Sequence, residues 1–150
     1  MNELNFNSQI CTTKEQSQRL LELGLKSETA DMVYTNASLP FNKDEFHIIC
    51  KEYSQLNIEV NYEISPFVFI PAWSLHRLIE MLPQNLHFDN NVDTFYYLTI
   101  KPFCLTKVMY RQDSGSWLYG SESSNLFDAI IDIIEKMIIG KYFNKEYLKL

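Results

Sequence analysis

The sequence predicts an α+β fold in which helices pack on an antiparallel sheet, with a C-terminal β-β-β-α unit, in a single domain of residues 1–150. Its 150 residues, 46% of them hydrophobic, are enough to bury one core without a metal or a disulfide. Three consecutive segments between Phe95 and Ser121 are rich in β-branched and aromatic residues. Apolar residues recur at intervals of three and four on both sides of these segments, which indicates helices.

The first predicted helix lies in TTKEQSQRLLELGL. Thr12 or Thr13 is a suitable N-cap, and Glu15 or Gln16 stands three residues further on, as a capping box requires. Gly24 is suited to end this helix in a left-handed conformation.

The following segments are predicted as two more helices and a strand. SETADMVY forms a short helix capped by Ser27. Its inward positions are Ala30, Val33 and Tyr34. From Asn42 to Leu56 the apolar spacing is that of a helix, although FHIIC within it also fits a strand. IEVNYEI, residues 58–64, alternates apolar and polar side chains and is predicted as a half-buried strand.

PAWSLHRLIEMLP is predicted as an amphipathic helix between two prolines. Pro71 has the fixed φ that suits the first helical position, and Pro83 ends the helix. The apolar stripe consists of Leu75, Leu78, Ile79 and Leu82. Trp73 falls in the first turn, where its large ring is expected to pack against the preceding strand. The opposite side carries the candidate surface residues His76, Arg77 and Glu80.

After QNLHFDNNVD, which is predicted as a loop, TFYYLTI, LTKVMYR and SWLYGS predict a three-stranded antiparallel meander. On the first strand, one face carries Tyr96, Leu98 and Ile100. The other face carries Phe95, Tyr97 and Thr99. Because both faces are fairly apolar, helices are expected to cover one and a partner the other.

The last predicted helix begins at the cap Ser124 or Asn125 and ends at Gly140. Its inner face consists of Leu126, Ile130, Ile133, Ile134, Met137 and Ile138. This face is broad enough to contact the sheet and a neighbouring helix at once. The Lys- and Tyr-rich tail beyond Gly140 is expected either to dock or to fray.

The reactive side chains do not follow a catalytic or metal-binding pattern. His47 and Cys50 are three residues apart, but no second Cys/His pair completes the four ligands that zinc needs. The cysteines are odd in number and widely spaced, which favours reduced, buried thiols. They are Cys11, Cys50 and Cys104. His76 and His87 are expected at the surface. The sequence therefore predicts no enzyme, no catalytic residue, no metal site and no cofactor.

Nucleic acid is a disfavoured partner because 13 Lys+Arg against 19 Asp+Glu give a net charge of −6. SQRLLELGLKSETADMVY has the spacing of a helix-turn-helix, but its second helix carries Glu28 and Asp31, which phosphate repels. A packed helical hairpin is the alternative interpretation. The order helix, three strands, helix from Pro71 to Ile138 resembles double-stranded RNA-binding domains. That family places lysines at the start of the last helix, whereas SESSNLFD here is acidic.

Three phrases, CTTKEQSQRLLELGLKSETADMVY, IPAWSLHRLIEMLP and NLFDAIIDIIEKMI, resemble a pattern in small proteins of gut anaerobic bacteria and their prophages or mobile elements. LLxLGLxxxTADM and PAWSL are its most specific parts. The resemblance implies an intracellular accessory protein and carries over no activity, cofactor or functional residue. MNELNFNSQICTTKEQ lacks the features of a secretory signal, and no apolar run reaches about 18 residues, so a cytoplasmic location is expected.

The functional prediction is an accessory protein of phage or mobile-element origin that acts as a non-enzymatic protein-interaction module. Tyr and Trp anchor interfaces because they bury much area at little entropic cost. The predicted aromatic surface is drawn from Trp73, Tyr96, Tyr110, Trp117 and Tyr119. The partner is another protein or a second copy of the chain. The alternative is a nucleic-acid-binding regulator that uses the helix-turn-helix-like hairpin or the double-stranded-RNA-binding-like unit.

Overall fold

The computed structural model describes residues 8–35, 47–50, 69–87, 95–102 and 104–149. The helices are α1 (Lys14–Glu22), α2 (Leu75–Met81) and α3 (Leu126–Ile139), with 3₁₀ turns at Ser27–Thr29 and Lys145–Tyr147. The strands are β1 (Met32–Thr35), β2 (His47–Cys50), β3 (Phe69–Ala72), β4 (Asn85–His87), β5 (Phe95–Lys101), β6 (Thr106–Arg111) and β7 (Trp117–Ser123). They form two antiparallel sheets, ordered β2-β1-β3 and β4-β5-β6-β7. The α+β class is therefore confirmed.

Helix α1 begins and ends as the sequence predicts. The Thr13 hydroxyl accepts a hydrogen bond from the Gln16 N–H (3.2 Å), and the Gln16 side chain accepts one from the Thr13 N–H (3.0 Å). This reciprocal pair is a capping box. Gly24 follows the helix with a φ of +95°, a conformation that glycine adopts at no steric cost.

The prediction of a helix in SETADMVY is wrong. Only Ser27–Thr29 forms a 3₁₀ turn, and Met32–Thr35 is the central strand of the first sheet. Burial alternates along this strand, with Val33 and Thr35 buried, and β1 is hydrogen-bonded on both sides, to β2 and β3. The second helix of the predicted helix-turn-helix is thus replaced by a strand.

The predicted helix over Asn42–Leu56 is also wrong where the structure describes it, because His47–Cys50 is strand β2. The alternative interpretation of FHIIC as a strand agrees with this pairing. The remainder of that prediction, and the strand predicted over residues 58–64, lie outside the described residues.

PAWSLHRLIEMLP contains a helix, but the helix begins later than predicted. Pro71 lies in β3, an edge strand of the first sheet, where a residue without an N–H is tolerated. Ser74 is the N-cap, and its hydroxyl accepts a hydrogen bond from the Arg77 N–H (3.1 Å). Of the predicted apolar stripe, Leu78 and Leu82 are buried.

The predicted meander is present as β5, β6 and β7, with one addition. Asn85–His87, in the segment predicted as a loop, forms β4 and pairs with the edge of β5. Among the described residues between α2 and α3, four strands are present rather than the three that the resemblance to double-stranded RNA-binding domains implied.

Helix α3 covers one side of this sheet. It packs against β6, β7, α1 and α2, so the broad apolar face contacts both sheet and helices as predicted. The helix ends at Gly140, its C-cap, as predicted, and the left-handed φ, 64°, falls on the next residue, Lys141. A Cβ on Gly140 would stand 2.9 Å from Tyr119 Oη and 3.2 Å from the Lys136 carbonyl oxygen, so a larger residue would have to displace its neighbours.

The C-terminal tail docks against the core. Phe143 is buried, the Lys26 N–H donates to the Tyr147 carbonyl (2.9 Å), and the Lys149 N–H donates to the Gly24 carbonyl (2.7 Å). The tail thus pairs with the segment that follows α1. The predicted alternative of fraying does not apply to these residues.

Candidate interaction surface

Trp73, the first candidate site residue, is completely buried. Its indole Nε1–H donates to Thr29 Oγ1 (3.0 Å), and its backbone N–H donates to Thr12 Oγ1 (3.0 Å). The Thr12 N–H donates in turn to the Trp73 carbonyl (2.9 Å), and the Thr12 hydroxyl is 2.8 Å from that of Ser17. Trp73 therefore joins the start of α1, the first 3₁₀ turn and the start of α2, and it contributes to no surface.

Ser74 is held by Asp31, which lies next to the same 3₁₀ turn. The Asp31 carboxylate accepts hydrogen bonds from the Ser74 N–H (2.8 Å) and hydroxyl (2.5 Å). The Arg77 Nε–H donates to the Thr29 carbonyl (2.8 Å). The phrases TADM and PAWSL are therefore two halves of one polar network. We call Thr12, Thr29, Asp31, Trp73 and Ser74 the Trp73 cluster.

The other candidates on α2 lie on its solvent side. The His76 side chain is 85% exposed, and its Nε2 is 3.8 Å from Glu80 Oε1. Arg77 Nη1 is 3.0 Å from Glu80 Oε2, and its guanidinium lies 5.9 Å from the centre of the Tyr147 ring. Exposed ion pairs within one helix contribute little to stability. These contacts are those of an ordinary helix surface.

The predicted aromatic surface is divided by the four-stranded sheet. Tyr110 is completely buried, and its hydroxyl donates to the Pro83 carbonyl (2.7 Å). Burial raises the pKa of the Tyr110 phenol far above its ordinary value. Tyr96 and Tyr119 pack against the same core. Of the predicted aromatic set, Trp117 has its side chain on the exposed side, with 65% of its surface accessible.

The side of this sheet opposite α3 is defined here as the outer face. Cross-strand register assigns to it Asn85, His87, Phe95, Tyr97, Thr99, Lys101, Lys107, Met109, Arg111, Trp117, Gly120 and Glu122. Phe95 is 41% exposed and Tyr97 is 45% exposed, and their ring centres are 6.4 Å apart. The sequence predicts these two residues on the second face of the strand, although the predicted aromatic surface does not include them. Strand alternation was the signal that pointed to them.

One row across the outer face contains Tyr97, Arg111 and Trp117. Tyr97 pairs with Arg111, and Arg111 pairs with Trp117, so the arginine stands between two aromatic residues. Adjacent strands lie about 4.8 Å apart, which puts the two aromatic Cα positions about 10 Å from each other. A Cβ on Gly120 would lie 3.4 Å from the Trp117 ring. The Trp117 ring therefore lies over Gly120 on β7.

The net charge of the outer face is opposite in sign to the net charge of the whole chain. Lys101, Lys107 and Arg111 against Glu122 give 3 − 1 = +2 on the face. The chain carries −6 in total, so the rest carries −8. Lys107 Nζ is 3.2 Å from Glu122 Oε2. In the part of the chain that the structure describes, Lys101 and Arg111 form no ion pair.

The thiols and the side chains of His76 and His87 are not gathered into one site. Cys11 is buried, and this burial raises its pKa, while its thiol donates to Tyr34 Oη (3.7 Å). Cys50 and Cys104 are exposed, so the expectation of buried thiols is wrong for these two. The His87 ring contacts Phe95, with centres 5.1 Å apart. Among the described residues, no group of three or more His, Cys, Asp or Glu side chains is placed to hold a metal ion.

Comparisons with protein-family models, with curated proteins and with solved structures gave no match. Within the described ranges, none of the helices has both the length and the apolar character needed to cross a bilayer.

Proposed function

We propose that this protein is a non-enzymatic protein-interaction module whose contact surface is the outer face. The observation that carries the proposal is the row of Tyr97, Arg111 and Trp117. Trp, Tyr and Arg are the residue types most enriched among interface residues that dominate binding energy. Met109 and Phe95, on the same face, belong to the other types enriched at interfaces.

The position of these residues supports binding rather than folding. Trp117 is 65% exposed, so most of its apolar area remains in water until a partner covers it. An antiparallel sheet that packs one face on the core commonly exposes polar residues to water on its other face. Here that side carries three large aromatic residues, Phe95, Tyr97 and Trp117, among its polar ones. Exposed apolar side chains gathered on one face and bordered by polar residues are typical of interaction sites.

The wider proposal follows the sequence resemblance. The protein is an accessory factor of phage or mobile-element origin that acts in the cytoplasm, and its partner is another protein or a second copy of the chain. The Trp73 cluster holds the scaffold together and takes no part in binding. The exposed residues His76 and Glu80 and the half-buried Arg77 on α2 are a lesser candidate surface, since they lack large apolar side chains.

Site-specific photo-crosslinking in the native host tests this proposal. Benzoylphenylalanine replaces Trp117 in one variant and Ile139 in the matched control, because both side chains are well exposed, at 65% and 74%. We expect discrete protein adducts from position 117 and none of the same mass from position 139. Equal adducts from both positions, or none from position 117, would contradict the proposal.

A further inference from the structure

The electrostatics of the outer face identify the chemistry of its occupant. We infer that this face binds an acidic segment of a partner protein, with carboxylates on Arg111 and Lys101 and apolar side chains against the rings of Tyr97 and Trp117. This inference rests on the proposed function, because it names the partner for the same surface.

Charge complementarity is the first argument. The outer face carries +2 on a chain whose remainder carries −8. An acidic segment is therefore attracted to this face and repelled by the rest of the molecule, which directs its approach. A cationic segment would be drawn elsewhere.

Two cations of the outer face are available to bind carboxylates of a partner. Lys107 is already paired with Glu122, whereas Arg111 and Lys101 form no ion pair within the described residues. The guanidinium of Arg111 presents a planar set of donors that can bind one carboxylate through two parallel hydrogen bonds. Tyr97 and Trp117 take the positions on either side of Arg111 in the cross-strand register, so a partner that covers these rings would also exclude water from a carboxylate bound to Arg111. Such shielding strengthens an ion pair.

Two other occupants fit the face less well. A symmetric dimer through this surface would oppose the same patch on both subunits, and hence +2 against +2. A nucleic acid gains its affinity from many phosphate contacts, about six to ten in strong binders, and the face offers two unpaired cations. A peptide segment with a few carboxylates beside apolar residues matches both the charge and the aromatic row.

Fluorescence anisotropy with labelled probes tests the inference on the full chain. The probe is an octapeptide of glutamates that flank two central leucines. Its matched peptides have lysine in place of glutamate, or serine in place of leucine, and a short single-stranded oligothymidylate is the nucleic-acid arm. We expect the Glu/Leu peptide to bind most tightly and to weaken as salt is added.

Variants locate the binding on the face. Arg111→Gln is expected to weaken the Glu/Leu peptide by about tenfold or more, and Lys101→Gln by less. Lys145→Gln removes an exposed charge on the 3₁₀ turn near the C-terminus and is expected to leave the affinity unchanged. Thermal unfolding of each variant checks that it is folded.

The outcomes separate this inference from the proposed function. If the Lys/Leu peptide binds as tightly as the Glu/Leu peptide and Trp117→Ser abolishes this binding, the occupant is not an acidic segment. The outer face would then remain an interaction surface. Preferential binding of oligothymidylate that Arg111→Gln weakens would overturn both. Failure of the Glu/Leu peptide to bind, or binding that Arg111→Gln does not weaken, would overturn the inference alone, because the crosslinking experiment judges the proposed function independently.

Discussion

Replacing Trp73 with phenylalanine tests the structural role of the Trp73 cluster. The substitution removes the hydrogen bond from Nε1 to Thr29 Oγ1, which is 3.0 Å long and buried. A buried hydrogen bond contributes about 1 kcal/mol, and the smaller ring leaves a cavity that costs about 1–2 kcal/mol more. We expect Trp73→Phe to lower the free energy of unfolding by about 2–3 kcal/mol.

A double-mutant cycle with Thr29→Val isolates the hydrogen bond. Thr29→Val leaves the indole N–H buried without its acceptor and also removes the bond from the Thr29 hydroxyl to the Lys26 carbonyl (2.7 Å). The two substitutions are expected to couple by about 0.5–1.5 kcal/mol in urea unfolding monitored by circular dichroism. Trp117→Phe is the control and should change stability by no more than about 0.5 kcal/mol. If Trp73→Phe lowers the free energy of unfolding no more than this control, or if the coupling energy is zero within error, the Trp73 cluster does not have this structural role.

Two further predictions concern titratable groups. Burial raises the pKa of Tyr34 from 10.0 to about 12, and its hydroxyl donates to the Thr12 carbonyl (2.9 Å), so the folded state favours the neutral phenol. This contribution to stability is fully present below pH 10 and is lost as pH rises towards about 12. Between these pH values the free energy of unfolding should therefore fall more steeply for wild type than for Tyr34→Phe. Equal slopes for the two proteins would refute this prediction. With Ellman's reagent, Cys50 and Cys104 should react in the native protein and Cys11 only after unfolding, whereas rapid reaction of all three would contradict the burial of Cys11.

The elements that could be predicted from sequence are those whose signals are local. Helix α1 has its capping box within four residues, and α3 has an apolar face long enough to define its period. The segment Ser27–Thr35 could not be assigned in this way, because its apolar residues fit either period. Its strand forms through pairing with β2 and β3, and the Thr29 contact with Trp73 joins residues 44 positions apart.

The candidate site was only partly predictable, for a related reason. Alternation along β5 correctly separated Phe95 and Tyr97 from Tyr96, but which face the helices cover depends on the docking of α3. On β7 the alternation is interrupted. In a regular strand, side chains two residues apart lie on the same face. A register shift at Tyr110 and Arg111 instead puts Trp117 on the outer face and Tyr119 on the inner face.

The affinity of the crosslinked partner for three purified forms of the chain tests the central claim most directly. The forms are wild type, Trp117→Ser and Ile139→Ser, each titrated with the partner by calorimetry. If the outer face is the binding surface, Trp117→Ser should weaken binding by about 30-fold, the loss of an anchor worth about 2 kcal/mol, while Ile139→Ser should stay within about twofold of wild type. Equal affinities for wild type and Trp117→Ser, with both proteins folded, would show that the partner binds elsewhere.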